Sequence, residues 1–300
     1  MGWIPANHML DCFRNRPGIA YRKILNALLL FLTATTSRIL PIALIAAFQM
    51  YDWPEQQSRT DGFWTAMREA LAAEGLDAPE ALARPEDLST PWRRPDLLIA
   101  QTCGLPYVSG ECGSAILVAR PSYDVAGALP GSYSSALICR AEDDRDLAGF
   151  LGARAAINET GSQSGCNALK DAFLQAGLAD GPLFAEVVMS GAHRVSANLV
   201  SEGRADIAAI DAVAWALHGE CDPESHARLR VLGWTRPMPA LPFITAGTRA
   251  DLIPVLTAAL TTACAATTGT GLPSAILPAE SGDYDPIRKM AHATTAIELC

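Results

Sequence analysis

Short, mostly apolar runs recur along this chain, each closed by a polar loop and followed by apolar residues at helical spacing. No other feature constrains the fold as much. Ala153–Ile157, Phe184–Met189 and Ala205–Ile210 are such runs, the pattern of strands buried in a parallel sheet. Behind the first, Cys166, Leu169, Phe173 and Leu174 share a helix face and Gly177 marks a stop. Behind the second, Val195, Leu199 and Val200 do the same and end at Gly203, and behind the third Val213–Leu217 continues as a helix. Such alternation predicts a parallel α/β unit. Earlier in the chain Ile42–Phe48, Leu97–Ala100 and Ala115–Ala119 read as strands, with a helical stripe of Phe63, Met67, Ala70 and Leu71 ending near Gly75. Ala136–Cys139, Leu229–Gly233 and Phe243–Ala246 add further strands, and Leu252–Ala265 and Tyr284–His292 add helices.

Two passages interrupt the alternation. Pro121–Ser135 is rich in Gly, Pro, Ser and Tyr, and Pro237, Pro239 and Pro242 punctuate a second stretch. Both are placed as crossovers between two lobes. The expected division is a leader at 1–41, a discontinuous first lobe at 42–130 plus 238–300, and a second lobe at 131–237. A chain of 300 residues can supply two such cores. Its net charge of −9 argues against a nucleic-acid footprint, which needs a basic face. Eight cysteines without any C-x-x-C spacing support neither a zinc site nor a redox motif, and the pattern calls for no cofactor and no metal.

Arg14, Arg16, Arg22 and Lys23 precede the apolar Ile24–Leu32 and the small residues Thr33–Ser37, the order of a secretory signal. Only 14 residues separate Lys23 from Arg38, against the roughly 20 that cross a bilayer. Running on through Arg38 and Pro41 reaches that length. A cleaved signal, a membrane tether through residues 24–41, and a true start near Met50 or just upstream of Ile42 are three open readings. The first two put the domain in the periplasm and the third in the cytoplasm.

Binding chemistry concentrates at strand ends. Asn158–Leu169 is a strand-to-helix turn whose small, hydroxyl-bearing residues let backbone approach a ligand closely. Ser162 or Ser164 can cap the helix while free N–H groups point outward, which suits a phosphate, phosphonate or carboxylate. His193 and Asp211 stand at the ends of the next two strands, where open α/β sheets bind ligands.

The order of Met50-Tyr51-Asp52, Gln101–Tyr107, Glu159–Gly165, Gly191–Arg194 and Glu202–Asp211 resembles the phosphate/phosphite/phosphonate-type substrate-binding proteins of ABC transporters, over roughly Ile42 to the C-terminus. The resemblance implies a type II periplasmic binding fold: two α/β lobes, each with a mostly parallel sheet, joined by two crossing segments around a ligand. It implies capture of a small anionic or zwitterionic ligand, and an ABC permease as partner. The ligand contacts it implies fall on Tyr51, Ser162, Gln163, Ser164, Gly165, His193 and Asp211, with Gln101, Thr102 and Tyr107 from the polar loop after the second strand. Phosphonate binders usually carry Ser-Thr-Ser where this chain has Ser-Gln-Ser; the larger amide of Gln163 bears on the ligand and not on the fold. Asp211 repels an anion set directly on it, so a cationic or hydroxyl end of a ligand is expected there. Trp53, Trp64 and Trp92 are expected in the core or on a lobe surface.

Two other function classes are carried. Cys103, His193 and Asp211 form a nominal thiol-enzyme set, although no nucleophile-elbow motif surrounds Cys103 and the lobes are expected to put it across the cleft from the other two. A ligand-sensing domain is the third class, and no signalling domain accompanies it in this chain.

Overall fold

The computed structural model describes residues 44–300; the leader at 1–41 and the first two residues of the first expected strand, Ile42 and Ala43, lie outside the described residues. In chain order the elements are β1 (Ile45–Ala47), α1 (Gln57–Ala73), β2 (Leu97–Gln101), α2 (Gly104–Ser109), β3 (Ile116–Ser122), β4 (Ala128–Leu129), β5 (Ser132–Tyr133), β6 (Ser135–Arg140) and β7 (Arg154–Ile157). After a π-helical turn at Gln163–Asn167 come α3 (Ala168–Gln175), β8 (Glu186–Met189), α4 (His193–Ser201), β9 (Ile207–Asp211), α5 (Ala212–Cys221), α6 (Pro223–Ala227) and β10 (Leu229–Trp234). The chain ends with β11 (Met238–Pro239), β12 (Phe243–Thr245), α7 (Ile253–Ala266), β13 (Ala275–Leu277) and α8 (Asp285–Thr294).

The strands form two five-stranded sheets, β1-β2-β12-β3-β13 and β10-β6-β9-β7-β8, and a small third sheet, β11-β5-β4. The large sheets are mixed rather than mostly parallel. Only β1–β2, β7–β8 and β7–β9 are parallel pairs, while β12 runs antiparallel to β2 and β3, and β6 antiparallel to β9 and β10. The cause is the crossing itself: a strand delivered from the other half enters opposite to the strands that βαβ connections lay down.

The two crossing stretches are stitched together. Pro130-Gly131, with Gly131 at φ +67°, turns β4 into β5, and Met238 and Pro239 pair with Tyr133 and Ser132. Thr235 N–H donates to the Ser135 carbonyl at 3.0 Å, and Ser135 N–H to Thr235 Oγ1 at 2.8 Å. The last residues of the chain reach the core of the second sheet. Ile297 and Leu299 pack into the second core with Phe150, Leu169 and Phe173. Leu183 and Phe184 N–H groups donate to the Glu298 and Leu299 carbonyls at 3.1 and 2.8 Å. A third segment therefore reaches the second half.

The first core lies where α1 and α7 cover their sheet, with Phe63, Trp64, Met67, Leu98, Ile99 and Leu260 fully inside. The N-terminal end of the second sheet's central strand, β9, is closed by charge. Asp206 accepts from the Arg154 amide and guanidinium and from Arg140, each at 3.0 Å. Against the cost of burial, these two arginines hold the Asp206 carboxyl far below the ordinary carboxylate range.

A carboxyl depressed on folding stabilises above its unfolded value, and that stabilisation is lost as pH falls through the folded one. Asp206→Asn is therefore expected to cost about 2 kcal/mol at pH 7. Urea denaturation from pH 7 to 3 should show the native protein losing stability below about pH 4 while the variant's curve stays flatter.

Candidate functional site

The π-helical turn after β7 gives the site its polar floor. Ser162 Oγ accepts from Gly165 N–H at 3.0 Å, and the Ser162 carbonyl from Cys166 and Asn167 N–H at 3.3 and 3.0 Å. The amides of Gln163 and Ser164 precede these bonded groups at the positive end of the helix. The turn packs tightly against β7's end: a Cβ at Gly165 would overlap Asn158 Oδ1, a buried oxygen without a hydrogen-bond partner. Only glycine permits that approach.

Around this floor is a cavity of about 560 Å³ lined from both halves. Tyr51, Cys103, Ser162, Ser164, His193 and Asp211 meet in it. Ser164 Oγ lies 2.8 Å from His193 Nε2. Burial lowers the His193 imidazole to about 4, with the Ala209 backbone opposing, so the ring is neutral near pH 7. Asp211 serves two elements at once. Its Oδ1 accepts from the Val213 and Ala214 amides at 2.8 and 3.2 Å and caps α5, while Oδ2 accepts from the Tyr51 hydroxyl at 3.0 Å. Burial pushes the Asp211 carboxyl up to about 6, against the pull of those amides and of Tyr51. The Tyr51 hydroxyl is raised well above its ordinary value by burial and then by Asp211, so it donates and does not ionise.

Other expected contact residues stand outside the cavity lining. Gln101 Nε2 donates to the Tyr123 hydroxyl at 2.8 Å, and the Tyr123 ring meets the Tyr51 ring edge-on at 5.4 Å, so Gln101 supports the site from one layer behind. Thr102 is fully buried beside Cys112. Tyr107 packs edge-on against Tyr284 of the turn before α8, at 5.5 Å. Gln163 is fully buried and turned away from the cavity, its Nε2 at 2.8 Å from Met290 Sδ on α8. The amide that distinguishes Ser-Gln-Ser thus braces the turn against the C-terminal helix. Gly165 belongs to the turn without lining the space itself.

Cys103 lines the same cavity as His193 and Asp211. Burial raises its thiol, while the Gln163 and Leu105 amides pull the other way. Trp64 is a core residue; Trp92 is buried in the core and also borders the cavity, and Trp53 lines it. Sequence reasoning missed Asn158, Glu159, Glu111 and Arg194, which also line it. Asn158 and Glu159 follow a strand end and were open to the same logic as His193 and Asp211. Glu111 lies past a short helix and carried no signal.

The Gly165 contact yields a direct test. Gly165→Ala is expected to lose about 1–3 kcal/mol of stability through overpacking. Adding Asn158→Ala should return most of that loss in urea denaturation.

The sequence matches the family described as ABC transporter, phosphonate, periplasmic substrate-binding protein over residues 95–282. No curated protein matches it in sequence. Among solved structures, PhnD1 from Prochlorococcus marinus in complex with methylphosphonate is similar, at 16% identity and TM-score 0.66 over 85% of this chain and 99% of that one. XAC2383 from Xanthomonas citri bound to ATP is similar at 15% identity and TM-score 0.61, over 84% and 97%. The periplasmic aliphatic sulphonate binding protein SsuA from Escherichia coli is similar at 14% identity and TM-score 0.57, over 85% and 87%. At such identities the structures speak for the fold, the type II periplasmic binding fold with mixed sheets flanked by helices. With more than half of its length inside the family match, the chain belongs to the phosphonate-type periplasmic substrate-binding proteins of ABC transporters.

Proposed function

We propose that this protein captures a small zwitterion, an anionic phosphonate-like head joined to a cationic end, in the cavity between its halves and presents it to an ABC permease. The observation that carries the reading is the cavity's charge. Glu86, Asp87, Glu111, Glu159 and Asp211 line it, and among the described lining residues Arg194 is the one cation. A bare dianion fits that lining poorly; a ligand with an ammonium group balances it. Burial, and then Glu111, raises the Glu159 carboxyl, the direction that two carboxyls sharing a site produce.

In this reading the Ser164 hydroxyl and amide, with the Ser162 cap behind them, hold the head at the positive end of the turn and its helix. Neutral His193 orients the Ser164 hydroxyl. Tyr51 and Asp211 take the cationic end, and Gln101, Thr102, Tyr107, Gln163 and Gly165 shape the walls from outside. The lobes would be 42–130 with 238 to about 296, and 131–237, and the order of the leader favours a periplasmic location. The raised Cys103 thiol supports binding over nucleophilic chemistry, because a catalytic cysteine needs a lowered pKa.

Thermal-shift titration with an ω-aminoalkylphosphonate and the alkylphosphonate of equal length tests the reading. The amino compound is expected to raise Tm further, growing with concentration as mass action requires. An equal or larger shift from the alkylphosphonate, or an unchanged shift in both Ser164→Ala and Asp211→Asn, would refute it.

The pH dependence follows from Asp211. Its carboxyl is raised on folding, so the charge is carried at a cost above about pH 6 and discharged below it. Affinity for the amino ligand is therefore expected to fall about tenfold between pH 7 and 5, measured by calorimetry, with the decline absent in Asp211→Asn.

A further inference from the structure

Arg194, the one cation among the described lining residues, is already claimed. Arg194 Nη1 donates to both carboxylate oxygens of Glu55, at 2.9 and 3.0 Å, and its guanidinium carbon stands 5.1 Å from the centre of the Trp53 ring. Glu55 lies in the opening turn Pro54–Gln56 ahead of α1, and Arg194 in the first turn of α4, so the pair joins the two halves. A cation in a helix's first turn opposes the helix dipole, so this arginine is not placed to serve its own helix. Three more contacts follow along the same edge. Arg59 pairs with Glu220, and Gln56 accepts from Arg59 at 2.7 Å and donates to Cys221 Sγ at 3.2 Å. Glu55 itself does not line the cavity.

We propose that Glu55 is a specificity-determining residue acting from outside the cavity: by holding Arg194 against Trp53 it withholds the one cationic side chain among the described lining residues, and so excludes solutes bearing two anionic groups. This deepens the reading of the cavity as a solute-capture site and rests on it. An ordinary surface ion pair would have little such effect. This pair is itself partly exposed, but the Trp53 ring covers a face of the guanidinium, and the arginine is shared with the cavity wall. The Glu55 carboxyl is lowered by its own backbone amide and then by Arg194, so the pair is charged at neutral pH.

The probes are phosphonoacetate, which carries two anionic groups, and methylphosphonate, which carries one, titrated by calorimetry into the full-length native protein, Glu55→Gln, and Glu55→Gln/Arg194→Gln. Glu55→Gln is expected to bind phosphonoacetate at least fivefold more tightly than the native protein does. Its gain for methylphosphonate should be smaller, and the double variant should lose the phosphonoacetate gain. Phosphonoacetate affinity that is unchanged or weaker in Glu55→Gln, or a gain that survives the loss of Arg194, overturns the proposal. If methylphosphonate binds none of the three, the phosphonate-head reading fails on its own, and phosphonoacetate alone still decides the role of Glu55. Matching Tm values for the native protein and Glu55→Gln would separate a charge effect from a folding defect; should Glu55→Gln melt early, Glu55→Ala read against Glu55→Asp makes the same comparison.

Discussion

A single buried carboxylate ties the two halves together. Asp211 ends β9, caps α5 with one oxygen, and takes the Tyr51 hydroxyl from the other half with the second. Burial makes its charge costly, which is why the carboxyl is pushed up to about 6. A buried carboxylate is tolerated only where donors surround it, and the donors here come from both sides of the cavity. The aromatic layer behind Tyr51 keeps that hydroxyl in place: Tyr123 lies edge-on to its ring and is itself fixed by Gln101.

The cavity wall follows from ordinary α/β construction. Strands β7 and β9 carry their polar residues out at the carboxyl ends, and the turns that follow expose amides and hydroxyls. Family membership and structural likeness agree with that architecture. The chain's particulars lie in its side chains, above all the excess of carboxylates around the cavity and the pairing of its one lining arginine with Glu55.

Much of this was legible before any coordinates. Runs such as Leu97–Ala100 and Ala153–Ile157 became strands within a residue or two, because burial on both faces leaves a plain apolar signal. The two-residue strands β4 and β5 carried no such signal; they exist because Met238 and Pro239, more than a hundred residues later, pair with them. The short helix α2 was read as loop, and it is held by α8, whose Ile287 leaves no room for a Cβ at Gly104. The antiparallel insertions were hidden as well, since an apolar run does not reveal its direction. At the site, strand-end logic singled out Ser162, Ser164, His193 and Asp211, which line one cavity. It gave no sign that Gln163 turns away, because a π-helical turn advances each residue by a smaller angle than an α-helix and swings that side chain toward Met290. The Glu55–Arg194 pair spans 139 positions and two lobes, beyond the reach of any local pattern.

A crystal structure of the protein grown with an aminoalkylphosphonate would bear most directly on the central claim. The account predicts phosphonate oxygens within hydrogen-bond distance of Ser164 Oγ and the Ser164 amide, the ammonium group beside Asp211 and Tyr51, and Arg194 still on Glu55. A phosphonate seated on Arg194, or an ammonium group remote from Asp211, would contradict it.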